Sequence, residues 1–304
     1  MINIDKLNFK SLCEEYLSYS KSRHKKQGFD TLSRNFKLHI ISYFKDKNIC
    51  DLTKSDIMDW QTMILEKNYS NSFNRNIYYT FSSFMNYCVN KGYVEENIVL
   101  SVGKFPKKIE KKEHNVYTIW QFRKFRHYIQ DFVIKQYFNF MFFCGTRPSE
   151  ALALKFNDFD GLYCNIFHSI QRRGKREIET PKNQSSIRTI KISLLMWLRI
   201  NKLKKLYIKQ YGSFDTNYFI FGGKKPLSTS TIDRFKENAC NKAKMPKITQ
   251  HEFRHSCATR LIHKNKPIDY VSRKLGHSKV STTVDIYLHK EKRMHKHSLF
   301  RINF

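Results

Sequence analysis

A chain of 304 residues, 40% apolar and 15% aromatic, is long enough for two domains with cores of their own and too apolar to stay disordered. Its 56 Lys and Arg against 26 Asp and Glu give a formal net charge of +30; such an excess repels itself in a compact state and points to a polyanionic partner, nucleic acid first. Apolar runs such as 140–144 are far too short for a bilayer, the N-terminus has no apolar stretch of a secretory signal, and seven cysteines without a C-x-x-C pair read as reduced, mostly buried thiols of a cytoplasmic protein.

Residues 6–100 read as helical. Phe9, Leu12, Tyr16 and Leu17 share one helix face, and Leu32, Phe36, Ile40 and Phe44 share another. Thr53-Lys-Ser-Asp56 is a helix start, followed at helical spacing by Ile57, Trp60, Met63 and Ile64. A fourth stripe, Ile77, Phe81, Phe84, Met85 and Cys88, is closed by Gly92. Four amphipathic helices on short connections predict a small bundle over 1–103. The charged, proline-containing stretch 104–115 reads as an exposed linker. The remainder, 116–304, opens on a capping box, Thr118-Ile-Trp-Gln121, and stays helical to about residue 160. Pro148 suits a first helical turn and so places Arg147 at a helix start. Between 162 and 193 the period becomes two, which predicts short strands at 163–169, 177–181 and 187–193. No element is assigned to 194–227. Helices resume at Ser228, Thr249-Gln-His-Glu252 is a further capping box, Gly276 ends a helix, and Ser281 can cap the next. At the end, Phe300, Ile302 and Phe304 alternate with Arg301 and Asn303 in strand fashion. The fold class is therefore mainly α with a small antiparallel sheet: a helical domain followed by a mixed α/β domain.

Six residues carry the chemistry: Arg147, Lys182, His251, Arg254, His277 and Tyr287. Arginine offers five donors in a fixed fork, suited to two nonbridging phosphate oxygens at once. Arg147 and Arg254 can therefore neutralise charge that builds on a pentacoordinate phosphorus. Glu150, one turn after Arg147, can orient a guanidinium. His251 and Arg254, three apart in a capped helix, share a face. Lys182, beside Asn183-Gln-Ser-Ser186 and between two strands, can protonate a leaving 5′-oxygen. Tyr287 can attack phosphorus, but a phenol of ordinary pKa near ~10 needs a base, for which His251 is the candidate. His277 donates a hydrogen bond to the phosphate. Taken singly, each is commonplace: a lone arginine or lysine is usually a solvated charge, and a lone Tyr287 a half-buried core aromatic. His251-Glu252-Phe-Arg-His255 also matches the H-E-x-x-H of zinc proteases. No fitting third ligand follows it, Arg254 would set a cation beside the metal, and Glu252 serves the helix start, so no metal is expected. Weaker candidates for phosphate contact are Lys25, Lys26, the basic position at Asn74-Arg75, Arg172 and Arg173.

Order and local context lift the set above its members. Cys144-Gly-Thr-Arg-Pro-Ser-Glu-Ala-Leu-Ala-Leu154, with the following Asp158, resembles the first motif of the tyrosine recombinases, also called the phage-integrase family. Thr249-Gln-His-Glu-Phe-Arg-His-Ser-Cys-Ala-Thr259 resembles the second, and Leu275-Gly-His-Ser-Lys-Val-Ser-Thr-Thr-Val-Asp-Ile-Tyr-Leu-His289 the third. Pro181-Lys-Asn-Gln-Ser-Ser-Ile-Arg-Thr-Ile190 resembles the lysine hairpin of mobile-element integrases more than the glycine-rich segment of chromosome-dimer resolvases. The resemblance covers about 116–290 and, by pattern only, 6–100, which looks like a core-binding domain.

The resemblance implies a two-domain clamp on double-stranded DNA and two rounds of strand exchange through a 3′-phosphotyrosyl link and a Holliday junction. It implies a homotetramer on paired sites, built from subunits that can be monomers in solution, with an accessory directionality factor as a further partner. No cofactor, metal or membrane is called for. The expected function is integration or excision of a mobile element. A resolvase or invertase at simple paired sites is the first alternative, and a non-catalytic DNA-binding protein on the same scaffold the second; six intact residues argue against the second. Two departures stand out. The core-binding pattern begins by residue 9, which leaves no room for an arm-binding domain, so either the sites are simple or the chain is a trimmed fragment. Asn97 is followed by Ile98 where the family often has Asn-Pro. The family often passes its C-terminus to a neighbouring subunit, and docking of this tail in cis or in trans stays open.

Overall fold

The computed structural model describes residues 8–107, 115–170, 178–179, 186–277 and 284. The chain divides into two compact units between Lys112 and Glu113. The first holds α1 (Phe9–Lys21), α2 (Lys26–Phe36), a wide π-type turn at Lys37–Ile41 that runs into α3 (Ser42–Phe44), then α4 (Lys54–Glu66), α5 (Asn71–Asn90) and the short α6 (Ile98–Val102). The four expected stripes all turn inward. Phe9, Leu12, Tyr16, Phe36, Ile40, Phe44, Ile57, Trp60, Ile64 and the whole Ile77-to-Cys88 set are buried, with Leu17, Leu32 and Met63 half-buried at the margin. The wide turn is held from outside its own helix: the Trp60 indole N–H donates to the His39 carbonyl at 2.6 Å. α4 starts as expected, with the Thr53 N–H on Asp56 Oδ2 at 2.8 Å and the Asp56 N–H on Thr53 Oγ1 at 3.2 Å.

Two features of this unit differ from expectation. The start of the linker is not exposed throughout: between exposed Lys104 and Pro106, Phe105 is buried against Trp60, ring centroids 5.5 Å apart. A lone aromatic in a charged run finds the uncovered edge of the indole. α6 was not anticipated. Asn97 caps it, accepting the Val99 and Leu100 N–H groups at 3.1 and 3.3 Å while its amide donates to the Ser82 carbonyl at 2.9 Å. Asparagine thus does the capping without a following proline.

The second unit holds α7 (Ile119–His127), α8 (Phe132–Cys144), α9 (Pro148–Ala153), strands β1 (Phe159–Asp160), β2 (Tyr163–Ile166), β3 (Ser169–Ile170), β4 (Ile178–Glu179) and β5 (Arg188–Lys191), then α10 (Leu194–Tyr211), α11 (Thr229–Lys242), α12 (Gln250–His263) and α13 (Ile268–Leu275). α8 is apolar almost all round and forms the centre, with Tyr137, Phe138, Phe140, Met141 and Phe142 fully buried. Phe253 of α12 packs its ring on Phe125 and Phe138 at 5.2 and 5.1 Å, and Phe122 stacks on Phe142 at 4.0 Å. Each such phenyl group stabilises the fold by about 1.5–3 kcal/mol through burial alone. Both capping boxes expected in this unit form, at Thr118 with Gln121 and at Thr249 with Glu252.

An antiparallel sheet of order β1-β2-β5 and a separate β3-β4 pair replace the three expected strands. The first strand breaks at Phe167-His168 into β2 and β3, and the last shortens to Arg188–Lys191. β2 pairs with β5 so that Tyr163 faces Lys191 and Ile166 faces Arg188, which brings the start of β5 back towards the motif segments. α10 occupies ground left unassigned. Its buried stripe is Met196, Ile200, Leu203 and Tyr207, but Leu194, Leu195 and Leu198, each more than half exposed, blur the periodicity. The alternating tail at 298–304 lies outside the described residues. Six cysteines are buried and Cys50 is exposed. Among the described residues no helix is long and apolar enough to cross a membrane.

Candidate active site

Two helices end in the same way at the centre of the second unit. α8 stops at Gly145 with φ 72°, and α13 at Gly276 with φ 69°. From α12, Arg254 Nη1 donates to the Gly145 carbonyl at 2.9 Å, and Arg147 Nη2 donates to the Gly276 carbonyl at 2.7 Å. Both guanidinia thus hang from helix C-termini, where the carbonyl dipoles favour a cation. Gly145 has no room for a side chain: a Cβ there would stand 2.5 Å from Leu275 Cδ2 and 3.0 Å from Cys257 Sγ.

Arg147 precedes α9, and Pro148 occupies its first position, as the sequence suggests. The Glu150 carboxylate accepts the Arg147 backbone N–H at 2.8 Å and Arg147 Nη1 at 2.6 Å. It also holds a second arginine that sequence reading did not single out. Arg188, the first residue of β5, donates Nη2 and Nη1 to Glu150 at 2.9 and 3.2 Å, Nη1 to the Ser186 carbonyl at 2.9 Å, and Nε to the Lys274 carbonyl at 2.8 Å. Ser186 Oγ in turn accepts Arg147 Nη1 at 3.0 Å. A signal for Arg188 was present. On β5 it shares a face with Ile190, which is 3% exposed, and a charge on that face needs a buried anion. Burial alone would raise the Glu150 carboxyl, but the Arg188 hydrogen bond and the charges of Arg188 and Arg147 hold it below the usual range.

His277 follows Gly276. Burial, then the charges of Arg254 and Arg147, then His255 and His251, push its imidazole down to about 4, so it is neutral at pH 7. Burial and the charge of Arg147 push Arg254 down to about 9, which still leaves it a cation. His251 and His255 lie one turn apart on α12 with ring centroids 5.1 Å apart. Arg254, Arg147 and His251 are therefore each near enough to act on His277, and His255 joins them unanticipated. Lys182, Tyr287, Arg172 and Arg173 lie outside the described residues. Lys25, Lys26 and Arg75 are exposed on the first unit, whereas Asn74 is buried. Glu252 accepts the Thr249 N–H at 2.6 Å and the Asn115 N–H at 3.0 Å, so the central carboxylate of the H-E-x-x-H string is engaged in capping and in tying down the chain at residue 115.

The depressed imidazole has a consequence for stability. The folded state holds His277 neutral between about 4 and the ordinary 6.5, where the unfolded chain binds the proton. Its contribution is complete above pH 6.5 and is lost as pH falls towards 4. Thermal melting between pH 6.5 and 5 should show a falling midpoint, and His277→Asn should flatten that slope. An unchanged slope in the variant would remove His277 as its source.

Two arginines beside a neutral imidazole, set in a mainly helical unit with a small sheet that follows a helical unit, fit a site-specific DNA recombinase. The chain belongs to the phage integrase family, whose model matches residues 112–294. The phage integrase N-terminal SAM-like domain matches residues 8–65. The ICEBs1 integrase of Bacillus subtilis (strain 168) is 26% identical over 295 residues, covering 93% of this chain and 79% of that protein. The Tn1549 transposon integrase, solved in complex with transposon right end DNA, superposes with a TM-score of 0.73 at 20% identity over 91% of this chain and 94% of that one. The lambda integrase tetramer bound to a Holliday junction gives a TM-score of 0.73 at 18% identity, with 91% and 80% covered.

Proposed function

We propose that this tyrosine recombinase cuts and rejoins double-stranded DNA at the ends of a mobile element through a 3′-phosphotyrosyl link to Tyr287. The observation that carries the reading is the suspension of Arg147 and Arg254 from the Gly276 and Gly145 carbonyls, beside neutral His277. Guanidinia fixed before the substrate arrives stabilise a phosphorane without reorganising at the moment of reaction. The Tyr287 oxygen forms a bond to phosphorus as the bond to the 5′-oxygen breaks. The phenolic proton passes to His251, and Lys182 supplies a proton to the departing 5′-oxygen. His277 donates its N–H to a nonbridging oxygen. A free 5′-hydroxyl from the partner duplex then reverses the step. One ester replaces another, so no external energy source is needed, and arginine rather than a metal supplies the positive charge.

The helical first unit would grip the DNA core through side chains such as Lys25, Lys26 and Arg75, with Arg172 and Arg173 adding phosphate contacts from the second. Four copies would assemble on paired sites, and an accessory directionality factor would bias the outcome; the lambda tetramer on a Holliday junction supports that assembly. The reading is tested with a nicked duplex whose severed fragment diffuses away after cleavage. A covalent protein–DNA band should form and should persist in excess chelator. Absence of the band overturns the reading, and loss in chelator with recovery on zinc would favour H-E-x-x-H chemistry instead.

A further inference from the structure

The pocket has to offer a phosphate net positive charge, yet Arg147 is bound to a carboxylate that cancels it. Arg188 resolves this. Two guanidinia on the single Glu150 carboxylate leave one positive charge over, and Arg254 adds a second. Arg188 acts from the strand that follows Lys182 in sequence, and Ser186, between them, is tied twice: its hydroxyl oxygen accepts Arg147 and its carbonyl accepts Arg188. The Nε of Arg188 reaches the Lys274 carbonyl, two residues before the glycine whose carbonyl holds Arg147. The Glu150 and Arg188 side chains are 2% and 7% exposed, so this charge pairing is little screened by water. One side-chain cluster thereby joins the start of α9, the start of β5 and the end of α13.

We propose that Ser186 and Arg188 are positioning residues for strand cleavage. Arg188 neutralises Glu150, so that Arg147 keeps its charge for the scissile phosphate. Ser186 fixes the rotation of the Arg147 guanidinium, so that seating of β5, with Ser186 just before it, sets the arginine pair. The proposal rests on the reading that Arg147 binds the scissile phosphate.

The experiment uses full-length Ser186→Ala, Arg188→Met and Arg188→Lys, with Arg147→Ala as reference, in single-turnover cleavage of the nicked duplex. One substrate carries a normal scissile phosphate. The other carries a methylphosphonate, in which a methyl group replaces one charged oxygen. On the normal phosphate, Ser186→Ala and Arg188→Met should cleave about 10- to 100-fold more slowly than the unaltered chain. DNA affinity should stay within about twofold, because most of it comes from phosphates elsewhere. On the methylphosphonate the deficit should shrink to under about threefold, as it should for Arg147→Ala, because the charge to be neutralised is gone. Arg188→Lys keeps the charge without the fork and should recover much of the rate lost by Arg188→Met. Ser186→Ala removes a single oxygen, so it and Arg188→Lys decide the matter if Arg188→Met fails to fold. Wild-type rates for Ser186→Ala, or equal deficits on both substrates, would overturn the relay. Full activity of Arg147→Ala would overturn the reading beneath it as well.

Discussion

Tyr287→Phe should bind its DNA site within about twofold of the unaltered chain, since phosphate contacts dominate affinity, and should form no covalent complex. The phenyl ring preserves packing and removes only the oxygen that attacks. Losing a nucleophile from a cooperating set costs the full advantage of that set, so the drop should be at least ~10³-fold, beyond gel detection. Binding measured by titration and adduct formation measured on the nicked duplex separate the two effects. An adduct that persists would dismiss Tyr287, and Tyr270 would be the next nucleophile to test, since it lies on α13 and is 41% exposed. Loss of binding and adduct together would make Tyr287 a structural residue.

Glu150→Ala should be the most destabilising single change in the pocket. The carboxylate is 2% exposed and lies between two guanidinia, at 2.6 Å from Arg147 and 2.9 Å from Arg188. Removing it leaves Arg188, itself 7% exposed, as a buried cation without its anion. Breaking such a pair costs about 3–5 kcal/mol, a melting-point drop on the order of 10 °C for a unit of this size. Denaturant unfolding of the full chain measures it. A loss below about 1 kcal/mol would mean that water replaces the carboxylate and that the cluster is wetter than its burial implies.

What was legible in the sequence was local. Capping boxes at Thr53, Thr118 and Thr249, the proline that starts α9, and the inward faces of α1, α2, α4 and α5 all depend on residues within a few positions of one another. What was illegible depends on distant partners. Arg147 meets the Gly276 carbonyl across 129 positions, and Arg188 meets Glu150 across 38. No spacing rule connects a guanidinium to a carbonyl, because every residue has one. Arg188 stood in the quoted lysine-hairpin motif without a role, since alternation says which face a residue occupies and not which charge awaits it there. α10 was hidden by three exposed leucines that mimic a second apolar face. Phe105 was misread because a charged neighbourhood says nothing about where one aromatic ring will seat.

Gly145 and Gly276 hold the two arginines through main-chain atoms, so the pocket inherits the thermodynamics of two helix ends. A guanidinium anchored to a side chain can swing free when that side chain changes rotamer. One bonded to a helix-terminal carbonyl keeps its acceptor until the last turn frays, and both turns are closed by their own amides, Gly145 on Met141 and Gly276 on Ser272 and Arg273. The rotamer freedom of an arginine, about 1.5–2 kcal/mol, is therefore surrendered largely when the chain folds and not when DNA arrives. Local opening of α8 or α13 becomes the route by which the catalytic charges could disorder while the aromatic core around Phe138 stays intact.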